Sequence, residues 1–567
     1  MTRSTKRRRI SALMAAAAGF AMVVAGCSSG GDKTPESGDA GKGEETTSSG
    51  EGRDTMNIWA GSQTPIQANF NPYLPDMLHA TQGPVYETLM LFNKASAGAP
   101  EPMLATSYEW NDDGTEMTIT LRDGVKWSDG EDMTADDVVY SLTNDLVKAS
   151  YVDSAEAVDD TTVLVKMNEP SFVNESKILM TFIVPEHIFG QMSDDELMAW
   201  SNEEPIGTGP YTVASVSDAV YTLVANADYW GGKPAVENLR YVAIDANSSA
   251  EDMLRAGDLD WASMFLPDPD SVDRGYINTP IDPTVLYTCS NADLGCQGVQ
   301  TDVAVRQALS AAIDRGIIQE KAFVGLTKEI SPTFALLGRD DAWIADGMPH
   351  AIEQDADVDG AKEILEAAGY TLGSDGIYEK DGQKVSMTLT SVDGWSDYND
   401  AGKLIEEQAK EAGMEVIAST VSWQEFSDAR QAGEFELILG GVVGTSVADP
   451  FDIYHDWFTT DRTAPVGEQL PVGAWGIARY SNPEVDAAVL AASETNDGDT
   501  RLAQYAIIQE AIVNDLPYIP LVINATQTFV NDKDFAGWPT EEDLYAFPPS
   551  WGSGSAGYIL SKVTPVE

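Results

Sequence analysis

Residues 117–139 read MTITLRDGVKWSDGEDMTADDVV, and they contain a strand, a turn and a helix start in succession. Met117, Ile119 and Leu121 alternate with Thr118 and Thr120, the period-2 pattern of a strand with one buried face. Thr134-Ala-Asp-Asp137 then has the form of a capping box, with Asp in place of Glu. It opens a helix whose apolar face is Val138, Val139, Leu142 and Leu146. The same alternation recurs along the chain. Asn482-Pro483-Glu484 puts a cap residue before a first-turn proline. Leu502, Tyr505, Ile508 and Ile512 have helical spacing and stop before Pro517, while Ala361, Ile364, Leu365 and Ala368 end at Gly369. Strands and helices alternating without an internal repeat predict an α/β protein of several domains.

Composition narrows the class. The chain has 567 residues, 34 Lys+Arg against 91 Asp+Glu, and a net charge of −57. Hydrophobic residues make up 43%, enough to bury cores. A sequence pI near 4.1 predicts no nucleic-acid partner, because phosphate binding needs clustered Lys and Arg. The same charge repels an anionic membrane surface, so any attachment must have another source.

The N-terminus suggests one. Arg3, Lys6, Arg7, Arg8 and Arg9 precede an apolar run from Ile10 to Val24, then Val24-Ala25-Gly26-Cys27. A basic segment, a short apolar segment and small residues are the parts of a secretory signal. Ending in Ala-Gly-Cys, it resembles a bacterial lipobox, which implies cleavage after residue 26 and acylation (palmitate) of Cys27. An ordinary signal with Cys27 incidental is the alternative, and Arg8-Arg9 also raises a twin-arginine export route. Residues 27–53 are rich in Ser, Gly and charged side chains and read as a flexible tether. Beyond Cys27 only Cys289 and Cys296 remain, and an even pair in an oxidising compartment suggests a disulfide, with two free thiols as the alternative.

Signals of covalent chemistry are scarce. His79, His187, His350 and His455 are scattered, and no H-E-x-x-H, C-x2-C, G-x-S-x-G or G-x4-G-K-[ST] occurs. Among so many acids no carboxylate pair is singled out for glycoside hydrolysis. Asp355-Ala-Asp357-Val-Asp359-Gly360 with Glu366 fits a calcium loop, yet it runs straight into the helix bearing Ile364 and Leu365. An acid-rich helix start is the simpler reading. The expectation is a protein without catalytic residues, cofactor or metal.

Several segments together resemble the family 5 solute-binding proteins of ABC importers. They are Val85–Leu89 (VYETL), Pro102–Trp110 (PMLATSYEW), Asp113–Thr115, Leu121–Gly130, Thr134–Val139, Pro205–Tyr211 (PIGTGPY), Asn226–Gly231 (NADYWG), Val305–Ala308, Ala312–Arg315, Tyr480–Asp486 and Pro517–Leu521. In order, they span nearly all of residues 54–560. The resemblance implies a two-lobed periplasmic-binding-protein fold with an extra domain and a ligand cleft between the lobes. Domain I would comprise residues 54–89, 204–290 and 530–567, domain II 90–203 and domain III 291–529. It also implies a monomeric, lipid-anchored extracytoplasmic receptor that delivers peptides to an ABC permease driven by an ATPase.

Peptide binders of this family use a strand of form Gly-Trp-x-x-Asp, whose Asp pairs with the peptide ammonium and whose backbone bonds the ligand. The matching segment is Gly441-Val442-Val443-Gly444-Thr445, followed by Asp449. Thr445 cannot make a charge-assisted bond, so the anchor is Asp449, another acid, or absent. If it is absent, an oligosaccharide becomes plausible, with Trp395, Trp423 and Trp475 as stacking surfaces or simply core residues. Asn71 and Tyr86 are the candidates from domain I. An adhesin or signalling lipoprotein and a hydrolase are the remaining alternatives.

Overall fold

A computed structural model describes residues 53–566 apart from 62–64, 75–76, 245–246, 443, 472–473 and 553. The signal, Cys27, the tether up to residue 52 and Val443 lie outside the described residues. No described helix is long and apolar enough to cross a membrane.

The opening motif folds as its pattern predicts. Strand Glu116–Leu121 buries Met117, Ile119 and Leu121 in a four-stranded antiparallel sheet, between Ala105–Trp110 and Thr162–Met167, with Val152–Asp159 on the far edge. Helix Ala135–Thr143 begins at the Thr134 cap, where the Asp137 carboxylate accepts from the Thr134 amide at 2.9 Å. Asp137 also accepts from the Glu186 amide at 2.9 Å, tying down the start of helix Glu186–Phe189. One carboxylate therefore serves two helix starts. The helix stops at Thr143, short of Leu146, which packs against the neighbouring core.

A seven-stranded sheet forms a second body, in the order Gly275–Asn278, Gln527–Val530, Trp261–Ala262, Thr55–Trp59, Asn238–Val242, Val220–Ala225, Tyr211–Val216. The third body is a five-stranded sheet, in the order Glu415–Val421, Ser386–Val392, Leu437–Gly441, Asp282–Thr288, Tyr518–Asn524. Hydrophobic cores cover both of its faces, so Tyr518–Asn524 is a nearly continuous apolar run rather than an alternating one. Pro520 is accommodated because this is an edge strand with a register shift in its partner.

Helix Pro483–Ser493 starts with the Asn482 side chain accepting from the Glu484 amide at 2.9 Å. Helix Val358–Ala367 is capped by Asp357, whose carboxylate accepts from the Gly360 amide at 2.8 Å, so the acid-rich segment acts as a helix start. Gly369 follows at φ +89°, the left-handed stop that glycine supplies. Cys289 and Cys296 form a disulfide with Cα atoms 5.4 Å apart.

The chain passes from the seven-stranded to the five-stranded sheet between Asn278 and Asp282, and back between Asn524 and Gln527. They fall close to the expected domain bounds near 290 and 529. They run side by side: the Thr279 amide donates to the Thr526 carbonyl at 3.0 Å, and Asp282 pairs with Asn524 across the ladder. The five-stranded lobe is thus joined to the other lobe through two adjacent strands, the geometry of a hinge.

Candidate ligand cleft

Where strand Leu437–Gly441 leaves its sheet, the chain is rich in glycine for steric reasons. A Cβ at Gly440 would lie 2.6 Å from the Tyr287 ring, and one at Gly444 would lie 2.9 Å from Asp282 Oδ1. The Gly444 amide donates to that same oxygen at 3.0 Å, and the Val442 amide to the Pro283 carbonyl at 2.8 Å. Gly441 is exposed at the strand end. Beyond it, Gly444 and Ser446 line a cavity of about 390 Å³ together with Asp452, Asp456, Trp457 and Trp475. The opposite wall, Ser176, Lys177 and Met180, belongs to the other lobe.

Around this floor stand polar groups that sequence reading did not single out. Tyr398 places its hydroxyl 3.0 Å from Thr284 Oγ1 and accepts from Asn524 Nδ2 at 3.4 Å. Burial pushes its phenol up to about 12, so it acts as a neutral hydrogen-bonding group. Lys94 lies 3.9 Å from Asp282 Oδ1 and 4.7 Å from the Phe547 ring centre. Neither Asp282 nor Lys94 belongs to a local motif. The glycines at 440, 441 and 444 are the one local sign of close backbone approach.

The expected site residues divide sharply. Asn71 is fully buried, its amide donating to the Leu197 and Trp200 carbonyls at 2.7 and 2.9 Å, and its oxygen accepting from the Tyr73 amide. Tyr86 is equally buried and accepts from Asn202 Nδ2 at 2.8 Å. Both therefore spend their polar atoms inside the first lobe. Asp449 is engaged too. Its carboxylate takes Arg501 Nη1 at 2.8 Å, the Tyr505 hydroxyl at 2.6 Å and the Phe451 amide at 2.9 Å, so its charge is already paired inside its own lobe.

Thr445 is turned away from the cleft in a different manner. Its Oγ1 accepts from Arg339 Nη2 at 2.6 Å and donates to the Val447 carbonyl at 2.7 Å. Arg339 also donates to the carbonyls of Thr445 and Lys94 and pairs with Asp340 at 2.6 Å, so its fork is fully used. An acid at 445 would compete with Asp340 for that guanidinium.

Of the tryptophans, Trp395 is half-buried and edge-on to Tyr398 and Phe426, with ring centres 5.3 and 5.6 Å away. Trp475, also half-buried, stacks on Trp457 at 5.5 Å. Trp423 opens helix Trp423–Ala432, and its side chain lies outside what the structure describes.

The family model described as "Bacterial extracellular solute-binding proteins, family 5 Middle" matches residues 99–465. The chain belongs to this family. Protein XP55 of Streptomyces lividans is 32% identical over 74% of the chain and 75% of the relative. The oligopeptide-binding protein AppA of Bacillus subtilis is 27% identical over 79% of the chain and 83% of the relative. Among solved structures, a periplasmic oligopeptide-binding protein of Thermotoga maritima matches with a TM-score of 0.82 at 25% identity, covering 90% of this chain and 99% of that one. The same Thermotoga protein with mannohexaose bound matches with a TM-score of 0.77, also at 25% identity, over 91% and 99%. The fold is therefore the two-lobed family 5 architecture, and the cavity at Gly444 lies between its lobes.

Proposed function

We propose that this chain captures peptides between its lobes and delivers them to an ABC permease, held at the membrane by an acyl group on Cys27. The carrying observation is the interlobe cavity floored by Gly444 and Ser446. There Gly444 has no side chain and Ser446 a short one, so backbone that an extended peptide can pair with is left accessible. The family and the oligopeptide-binding relatives support the ligand class. Binding alone is the work, with no covalent step.

With Thr445 and Asp449 committed elsewhere, and Asp452 and Asp456 of the cavity wall engaged by Lys177 and His455, the acid left to receive a ligand cation beside Gly444 is Asp282. Its side chain is 35% exposed and oriented by the Gly444 amide. Gly441 then contributes through its exposed backbone at the strand end, and Thr445 through its hold on Arg339. An oligosaccharide is the second reading, favoured by the mannohexaose complex of the Thermotoga relative and by the half-buried Trp395 and Trp475.

A thermal-shift screen of the body from Asp54 onward, against peptide pools and oligosaccharide pools, separates the two. A ligand at 100 times its dissociation constant adds about 2.7 kcal/mol of stability. A shift with peptides that falls in Asp282→Asn supports the first reading. A shift with sugars alone refutes it in favour of the second.

A further inference from the structure

The two lobes are covalently joined only at the paired crossings, yet they also touch far from them. Helix Glu175–Leu179 of one lobe faces helix Phe451–Phe458 of the other. Lys177 Nζ reaches across to Asp452 Oδ1 at 2.8 Å and to Asp456 Oδ2 at 3.9 Å. Two valines also cross the seam. Val173 packs against the core of the five-stranded lobe, and Val447 packs against the core of the four-stranded sheet. The lobes also meet nearer the crossings, where Arg339 donates to the Lys94 carbonyl at 2.8 Å, but around Lys177 the seam is open. A cavity of about 390 Å³ lies on one side of Lys177 and another of about 330 Å³ on the other, and Lys177 lines both. Contacts flanked by such voids give up little close packing when they separate.

We propose that Lys177 is an electrostatic latch that holds the lobes together over the cleft, and that the seam must part at this pair for ligand to enter or leave. The receiving side is prepared for a single cation. Asp456 is already held by His455 Nδ1 at 2.7 Å, and His455 Nε2 lies 3.2 Å from Arg462 Nη2. Asp452 has Lys177 as its cation. Removing Lys177 takes away the attraction across the seam and leaves Asp452 and Asp456, neighbours on one helix, to be covered by the other lobe without that cation, which favours the parted state where water reaches them. Since Lys177 is 36% exposed, water screens the pair, and the closed-to-open ratio should fall about threefold to fivefold rather than by orders of magnitude.

The test needs no ligand at its first stage. Small-angle scattering of the ligand-free body compares wild type with Lys177→Met, Lys177→Arg and the charge swap Lys177→Asp with Asp452→Lys. The latch predicts a larger radius of gyration for Lys177→Met, and near wild-type values for Lys177→Arg and the swap. Identical scattering for wild type and Lys177→Met, with unchanged melting temperature, overturns it. Where a peptide from the screen binds, its release from Lys177→Met should be about threefold to fivefold faster; an unchanged release rate also overturns the latch. Failure of every peptide to bind would count against the proposed function, while the scattering comparison still decides the latch.

Discussion

Glu87 is 2% exposed at the junction of the seven-stranded and four-stranded bodies, and among the described residues no cation lies within ion-pair distance of it. Its carboxylate accepts from the Tyr229 hydroxyl at 2.8 Å and from Trp230 Nε1 at 3.0 Å. Arg122 acts on it from a distance, its guanidinium lying over Trp230 at 4.0 Å from the ring centre. Burial pushes the Glu87 pKa from 4.5 up to about 7, and the hydrogen bonds and Arg122 only partly oppose it. The folded chain thus holds this proton more tightly than the unfolded chain does. The corresponding stability is fully present below pH 4.5 and is lost as pH rises through about 7. At 1.36 kcal/mol per pH unit, that gap amounts to about 3 kcal/mol at most.

Glu87→Gln mimics the protonated side chain at every pH and isolates this contribution from the general repulsion of an acidic surface. Urea unfolding of wild type and Glu87→Gln at pH 5 and pH 8 provides the assay. The variant should be near or below wild type at pH 5, and should improve relative to wild type by about 1–3 kcal/mol on going to pH 8. Parallel pH dependence in the two proteins would refute the reasoning, because it would mean that Glu87 ionises without penalty in the fold.

Three further outcomes are expected. Cys27→Ala should move the protein from the membrane fraction to the soluble fraction, and unchanged fractionation would sink the acylation reading. Cys289→Ser with Cys296→Ser should lower stability by about 2 kcal/mol, since the bridge closes a short loop; equal urea midpoints would contradict this. Asp449→Ala should cost about 3 kcal/mol or more by leaving Arg501 buried without its partner, while ligand affinity of the folded fraction is retained. A loss of affinity at undiminished stability would return Asp449 to the ligand site.

The elements and the family are legible in short stretches of sequence. The alternation of Met117, Ile119 and Leu121, the caps at Thr134 and Asn482 and the stop at Gly369 act over a few residues, and their physics is complete within that window. The ordered run of family segments needed no coordinates either. Tertiary structure alone decided which side chains are free to meet a ligand. Asp449 reads as an unspent acid until Arg501 and Tyr505 arrive from the helix Gly498–Asp515. Thr445 looks like a lost anchor until Arg339, 106 positions away, is seen to claim it. Asn71 looks polar and available until the carbonyls of Leu197 and Trp200 close over it. Lys177 and Asp282 carry no local signature and matter only because the chain crosses twice and folds one lobe over the other. Secondary structure follows from short-range periodicity and capping, whereas the commitment of a polar group is set by partners that sequence distance hides.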